Sequence, residues 1–341
     1  MTNKLVLRVA ALSVALSALC LLSLTAVQAQ PGTAATAAGG PRISFSQGID
    51  ASLLKRAADL RVYKLQPPKL TRGAFDGLVG RLLPAVQRGE VVTAGNVIAR
   101  SDAANFIMLD TKSGLFSMSR GMANQIDDKP GKLPDDAQAT DVALAFLKQN
   151  ELGPRNGKEM VLARVGHIRS QSFDPKSGAK GPIRDQMVTV NFSRLVDGTE
   201  VVGDASKMIV QIGDGGEVVG AGINWRELGD AKPVGAKGLR TAEQLQQDIQ
   251  AFISREMNMA SAVDVKQVGL FYYDNGGEFL QPVIGYEALV REGRQTLRYF
   301  GQTALLRTPA EQVGPDAVTP RMRETVKLSP RELKPPTAKG D

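Results

Sequence analysis

Histidine and cysteine are almost missing from this chain. Its 341 residues hold one of each, His167 and Cys20, and a single tryptophan, Trp225. The common zinc sites need several His or Cys ligands, so this composition excludes them. A Ser-His-Asp triad would have to be built on His167. That residue lies in Arg164-Val-Gly-His-Ile168, which reads as a strand, so a strand-face histidine is the simpler account. No His-Glu-x-x-His and no Gly-x-Ser-x-Gly occurs. Aromatic residues make up 5%, a poor supply for the sugar platforms that accompany the carboxylates of a glycosidase groove. The glycine clusters Gly213-Asp-Gly-Gly216 and Gly276-Gly277 are not followed by helical patterns, so they read as turns and not as phosphate cradles.

Long apolar runs are also absent, except at the N-terminus. Lys4 and Arg8 are the only charges in the first 29 residues, and Val9 to Val27 carries none. Val27-Gln28-Ala29 then sets acceptable residues at the −3 and −1 positions of a cut between Ala29 and Gln30. This is the three-part pattern of a cleavable secretory signal. The run is also long enough to span a bilayer, so an uncleaved anchor is the alternative. Leu19 before Cys20 departs from the small residue that a lipid-anchor signal places there. Cleavage predicts an exported chain, periplasmic or extracellular, that has lost its only cysteine. Such a chain has no disulfide, no thiolate nucleophile and no cysteine metal ligand. It has to be held by its hydrophobic core alone.

The formal charge is +7, and loss of Lys4 and Arg8 brings it to +5. The basic residues are interspersed with acidic ones, with no run of five or more, no zinc-ligand spacing and no aromatic nucleic-acid motif. A nucleic-acid partner is therefore not expected. The excess suits solubility or weak affinity for anionic polymers and lipids.

Periodicity supplies the organisation. Thr71 caps a helix to about Leu83, after a short strand Val62–Leu65, and strand-like runs Val91–Ala99 and Phe106–Met118 follow, the second broken at Asp110–Gly114. Pro134-Asp135-Asp136 opens a second helix, closed by Gly153-Pro154. Strands are expected at Val161–Ile168, Gln186–Leu195, Met208–Ile212 and Val218–Trp225. Thr241 caps a third helix, with strands at Lys266–Tyr273, Pro282–Val290 and Thr296–Leu306. The expectation is an α+β chain of about three helix-plus-strands units, each an antiparallel sheet packed by a helix. One larger sheet with three helices on one face is the alternative. The corresponding segments are a signal peptide 1–29, a flexible linker 30–42, an N-terminal module 43–133, a central module 134–232, a C-terminal module 233–308 and a basic, Pro-rich tail 309–341.

The stretch Met187 to Gly203 followed by Met208 to Val219 carries a family resemblance. Strand, Val196-Asp-Gly-Thr199 turn, strand, and Asp214-Gly-Gly-Glu-Val218 turn are similar to the propeptide modules of secreted metalloproteases and the related PepSY domains. Glu200 stands where that pattern has its central proline. The resemblance implies three PepSY-like units without the protease domain. It also implies a role in binding or restraining a partner protein of the envelope or secretome, as an inhibitor does, with no catalytic residue, cofactor or metal. Trp225 beside Arg226 is a favoured interface pairing. Tyr272, between Phe271 and Tyr273, alternates to the opposite face from both. These three are the partner-contact candidates. A structural or adhesive envelope protein binding anionic polymers is a second reading. A carboxylate hydrolase using Asp197 with Glu200, or Asp214 with Glu217, is a third, although both pairs fall at turns.

Overall fold

A computed structural model describes residues 40–125, 131–293, 295–313 and 324–325. The signal-cleavage position Ala29/Gln30, most of the expected linker and most of the basic tail lie outside the described residues. The elements in chain order are β1 (Arg42–Phe45), α1 (Ala51–Ala58), β2 (Arg61–Leu65), α2 (Arg72–Leu82), β3 (Glu90–Ala94), β4 (Val97–Ser101), β5 (Asn105–Asp110), β6 (Phe116–Arg120) and α3 (Asp136–Gln149). Then come β7 (Met160–Phe173), β8 (Lys180–Val196), β9 (Thr199–Val202), β10 (Lys207–Ile212), β11 (Val218–Asn224), β12 (Leu228–Pro233), α4 (Ala242–Glu256), β13 (Ala262–Tyr273), β14 (Phe279–Glu292), β15 (Gln295–Ala304) and β16 (Glu324–Thr325).

The helices begin where their caps dictate. Asp50, Thr71, Asp135 and Thr241 each accept a backbone N–H of the first turn, satisfying a donor that the helix cannot satisfy itself. Asp135 with Gln138, and Thr241 with Gln244, complete reciprocal capping boxes. Helix α1 had no sequence-based expectation. Its two turns bury only Leu53 and Ala57, too short a stripe to stand out from the surrounding sequence. The expected single strand Val91–Ala99 is two strands, because Gly95-Asn96 turns the chain into a hairpin between β3 and β4.

Three separate units are not what these elements form. The strands join one large mixed sheet, with the path β12-β2-β14-β13-β9-β8-β10-β11-β6-β5-β4-β3 and with β1, β7, β15 and β16 attached beside it. Residues 43–133 are split between its halves. Strand β6 pairs with β11, whereas β1 runs parallel to β13, with Arg42 opposite Ala262, and β2 pairs with β14 and β12. Gly40–Asp341 groups as one compact unit. Local periodicity states which side chains are to be buried but not which neighbours bury them, and the β1–β13 pairing links residues far apart in sequence. Among the described residues four helices pack on the sheet, not three. No helix among the described residues is long and apolar enough to cross a membrane.

Two cores result. Helices α2 and α3 bury Phe75, Leu78, Ala143 and Leu147 against Val188, Val190, Phe192, Val210 and Ile212 of the first half. Helices α1 and α4 bury Leu53, Leu245, Ile249 and Ile253 against Val263, Val265, Ile284 and Ala288 of the second. A small third core, with Tyr63, Leu65, Val196, Val201, Tyr272 and Leu280, lies at the seam between them.

The second half also depends on missing side chains. Gly269 and Gly285 are register partners on β13 and β14, and the ring of Phe271 lies over the gap they leave. A Cβ at position 285 would sit 2.5 Å from that ring. Gly285→Ala is therefore expected to displace Phe271 and lower stability by about 1–3 kcal/mol, the usual range for overpacking. Urea unfolding against the wild-type chain measures it, and an unchanged midpoint would refute this account of the glycine.

Candidate functional site

The seam is where strand β8 leaves the first half and enters β9, which runs parallel to β13 at Tyr272 and Tyr273. Two polar clusters hold it. In the first, the Arg194 guanidinium has no solvent exposure. Its Nε donates to Glu159 Oε2 at 2.8 Å, and Nη1 donates to the Arg226 carbonyl at 2.8 Å and to Ser206 Oγ at 3.3 Å. Ser206 Oγ in turn donates to the buried carboxylate of Asp274 at 2.6 Å. The Trp225 ring lies 4.6 Å from the guanidinium carbon, so the cation is covered by an aromatic face as well as neutralised. Arg226 donates to the Gly277 carbonyl across the same seam. Gly203 fits here alone, since its φ is +107° and a Cβ would meet the Asp274 carbonyl at 2.3 Å.

The second cluster centres on Asp197, the hairpin residue between β8 and β9, which holds a left-handed φ of 52°. Its carboxylate accepts from Tyr63 Oη at 2.7 Å and from Tyr272 Oη at 3.0 Å. The two rings meet edge-on with centroids 5.9 Å apart. Burial first, and the bond to Asp197 second, push the Tyr63 hydroxyl up to about 12. Burial raises Tyr272 as well. Both phenols are thus neutral donors at ordinary pH, not bases.

The three partner-contact candidates all fall in this seam. Trp225 and Arg226 are less than a tenth exposed, and Tyr272 has no exposed surface. Alternation placed Tyr272 correctly on the opposite face from its neighbours, but both faces of β13 are covered at that point. The carboxylate pairs are spent separately. Asp197 holds the two tyrosines. Asp214 accepts the Lys132 N–H at 2.5 Å, and Glu217 pairs with Arg120 at 2.8 Å. A surface depression of about 350 Å³ lies beside Pro67, Pro68, Thr71, Arg72 and Asn96, and no carboxylate lines it. Among the described residues no group of three or more His, Cys, Asp or Glu is placed to hold a metal ion.

What the seam positions is β7. Glu159 immediately precedes it, and Met160 is the register partner of Arg194. The ion pair therefore fixes the root of the β7–β8 hairpin in the seam. Further along, His167 lies between two carboxylates, Nε2 at 3.3 Å from Asp136 at the start of α3 and Nδ1 at 3.5 Å from Asp185 on β8. Among the described residues, strand β7 is bonded only to β8. Its other edge runs fourteen residues, with Leu162 49% exposed. Sequence reasoning missed this edge because the strand runs fourteen residues where eight were expected. Past Ile168 its residues have no core beneath them, so no alternation marks it.

Removing one partner from a buried ion pair leaves the other charge without compensation. Glu159→Ala is expected to lower stability by about 3–5 kcal/mol, read from urea unfolding, and a loss under about 1 kcal/mol would refute a structural role for the pair. The Tyr63 hydroxyl gives a pH signature. Its folded-state value of about 12 lies above the ordinary 10, so its contribution to stability is complete below pH 10 and is lost as pH rises from 10 toward 12. Tyrosinate absorbance near 295 nm tracks this. Asp197→Asn is expected to bring the Tyr63 transition only part of the way back, because burial is the larger cause.

No protein-family model matches the sequence, and no curated protein matches it. Among solved structures, an uncharacterized protein from Eubacterium rectale aligns with a TM-score of 0.43 at 10% identity, over 74% of this chain and 85% of that one. The C-terminal domain of YpeB from Bacillus megaterium aligns with a TM-score of 0.33 at 15% identity, over 70% of this chain and 94% of that domain. Both scores fall below 0.5, and neither likeness carries an argument about what this chain does.

Proposed function

We propose that this chain is an exported, non-enzymatic binding module of the cell envelope that engages or restrains a partner protein by accepting one of its strands along β7. The observation that carries this reading is the long β7 edge, bonded on one side only among the described residues and fixed at its root by a buried ion pair. An unpaired edge offers a row of N–H and C=O groups, and strand addition is a recurrent way of binding an extended segment. The partner is an envelope or secreted protein, in keeping with the secretory pattern at the N-terminus and the resemblance to protease propeptide modules. Asp197, Asp214 and Glu217, three of the carboxylates that a catalytic reading would use, are already committed to structural bonds, which also supports a binding role. Arg164, His167 and three register irregularities on β7 break its regularity. Natural edges use such devices against self-association, and they favour one partner over indiscriminate pairing.

A photoreactive benzoylphenylalanine at Leu162, with a second at Val91 on the β3 edge, tests the proposal. Both positions are 49% exposed, so accessibility does not separate them. In native envelope extract, position 162 is expected to give one discrete protein adduct that position 91 does not. No adduct at 162, or the same adducts at both, would overturn strand addition at β7.

A further inference from the structure

Beyond Met187 the β7–β8 hairpin leaves the sheet, because β8 pairs with β10 only from Val188 to Phe192. What extends is a two-stranded arm closed by Asp174-Pro-Lys-Ser-Gly178, in which all ten residues from 171 to 180 are exposed. Asp174 organises its tip, accepting from Lys176 N and Ser177 Oγ. Register places Ile183 opposite Gln171 and Lys180 opposite Phe173, with an irregularity between the two pairs. Phe173 is 59% exposed and Ile183 64%. Lys176 lies in the turn. Arg184 alternates to the opposite face from Ile183. The root carries the Arg169–Asp185 ion pair at 2.6 Å. Among the described residues no carboxylate pairs with Lys176, Lys180 or Arg184.

From this juxtaposition we infer that the arm is a finger that docks on an anionic lipid bilayer, with Phe173 and Ile183 entering the interface and Lys176 and Lys180 meeting the headgroups. A stable protein–protein contact needs about 800 Å² from each partner, and two isolated apolar side chains on a narrow ribbon do not provide it. A bilayer asks for no complementary surface. It rewards apolar tips flanked by cations. Asp174 and Asp185, the arm's two acids, are held in local bonds. The inference is independent of strand addition, which concerns the edge of β7 and not the tip.

The chain from Gln30 onward, lacking the apolar leader and Cys20, is the material to test. An Ala179→Cys variant then carries one cysteine for an environment-sensitive dye. On vesicles of phosphatidylcholine with phosphatidylglycerol, the dye is expected to shift to the blue, and the chain to co-sediment. Neither is expected on phosphatidylcholine alone, and raised salt is expected to weaken both by screening. Lys176→Gln with Lys180→Gln is expected to lower partitioning about thirtyfold, and Phe173→Ser with Ile183→Ser by about tenfold or more. All four positions are exposed, and circular dichroism checks that the variants keep the fold. The inference is overturned if the wild-type chain ignores the anionic vesicles, if it binds neutral ones equally, or if binding occurs without a dye shift at position 179. A response of the dye to soluble envelope proteins but not to vesicles would also overturn it, in favour of a protein partner.

Discussion

A guanidinium with no access to water is a demanding thing to place inside a protein, and the seam is arranged around that demand. Arg194 is compensated by Glu159, by the Arg226 carbonyl, by Ser206 and by the face of Trp225. These partners come from three separate parts of the chain. The charge can be satisfied only when the root of β7, the loop after β9 and the end of β11 are in register with β8. Breaking any one contact leaves a polar group stranded in a medium where stranding is expensive. The Asp274 carboxylate, reached through Ser206, extends the same requirement to the end of β13. A desolvated network of this kind fixes how the two halves of the sheet join, something that the apolar contacts of either core cannot do alone.

The same seam ties down the exposed edge of β7. Strand β7 has no neighbour on its outer side among the described residues, so its position depends on β8 and on side-chain ties at two heights, Glu159 to Arg194 at the root and His167 between Asp136 and Asp185 farther out. The single histidine, which composition alone marked as the only possible catalytic imidazole, is used here as a tie between a helix start and a strand. Its flanking carboxylates are the residues an active-site reading would look for.

Much of the local structure was legible. The capped helices at Thr71, Asp135 and Thr241, the Asp197-Gly198 hairpin and the strands on either side of it follow from cap chemistry and from alternation over a buried face. Elements without such signals were missed or shortened. Helix α1 is two turns long with two buried residues. The arm of β7 and β8 lies outside the core, so its residues carry no burial pattern. Trp225, Arg226 and Tyr272 were singled out as large, amphipathic residues of the kind that favour interfaces. The same properties suit them to a polar seam inside the protein, and the sequence contains nothing to separate the two uses.

By itself the sequence determined the element types, most of the turns, and the exclusion of the common zinc sites, because caps, periodicity and composition are properties of short stretches or of the chain's inventory. It did not determine that β1 and β2 would cross to the strands at the far end, or that one continuous sheet would replace three units. Nor did it determine that one arginine would be desolvated while one edge stayed open. Those outcomes depend on pairings between residues far apart in the chain. Such pairings are selected by the joint burial of apolar faces and by the need to satisfy every buried polar group at once, and only the tertiary structure brings those groups together.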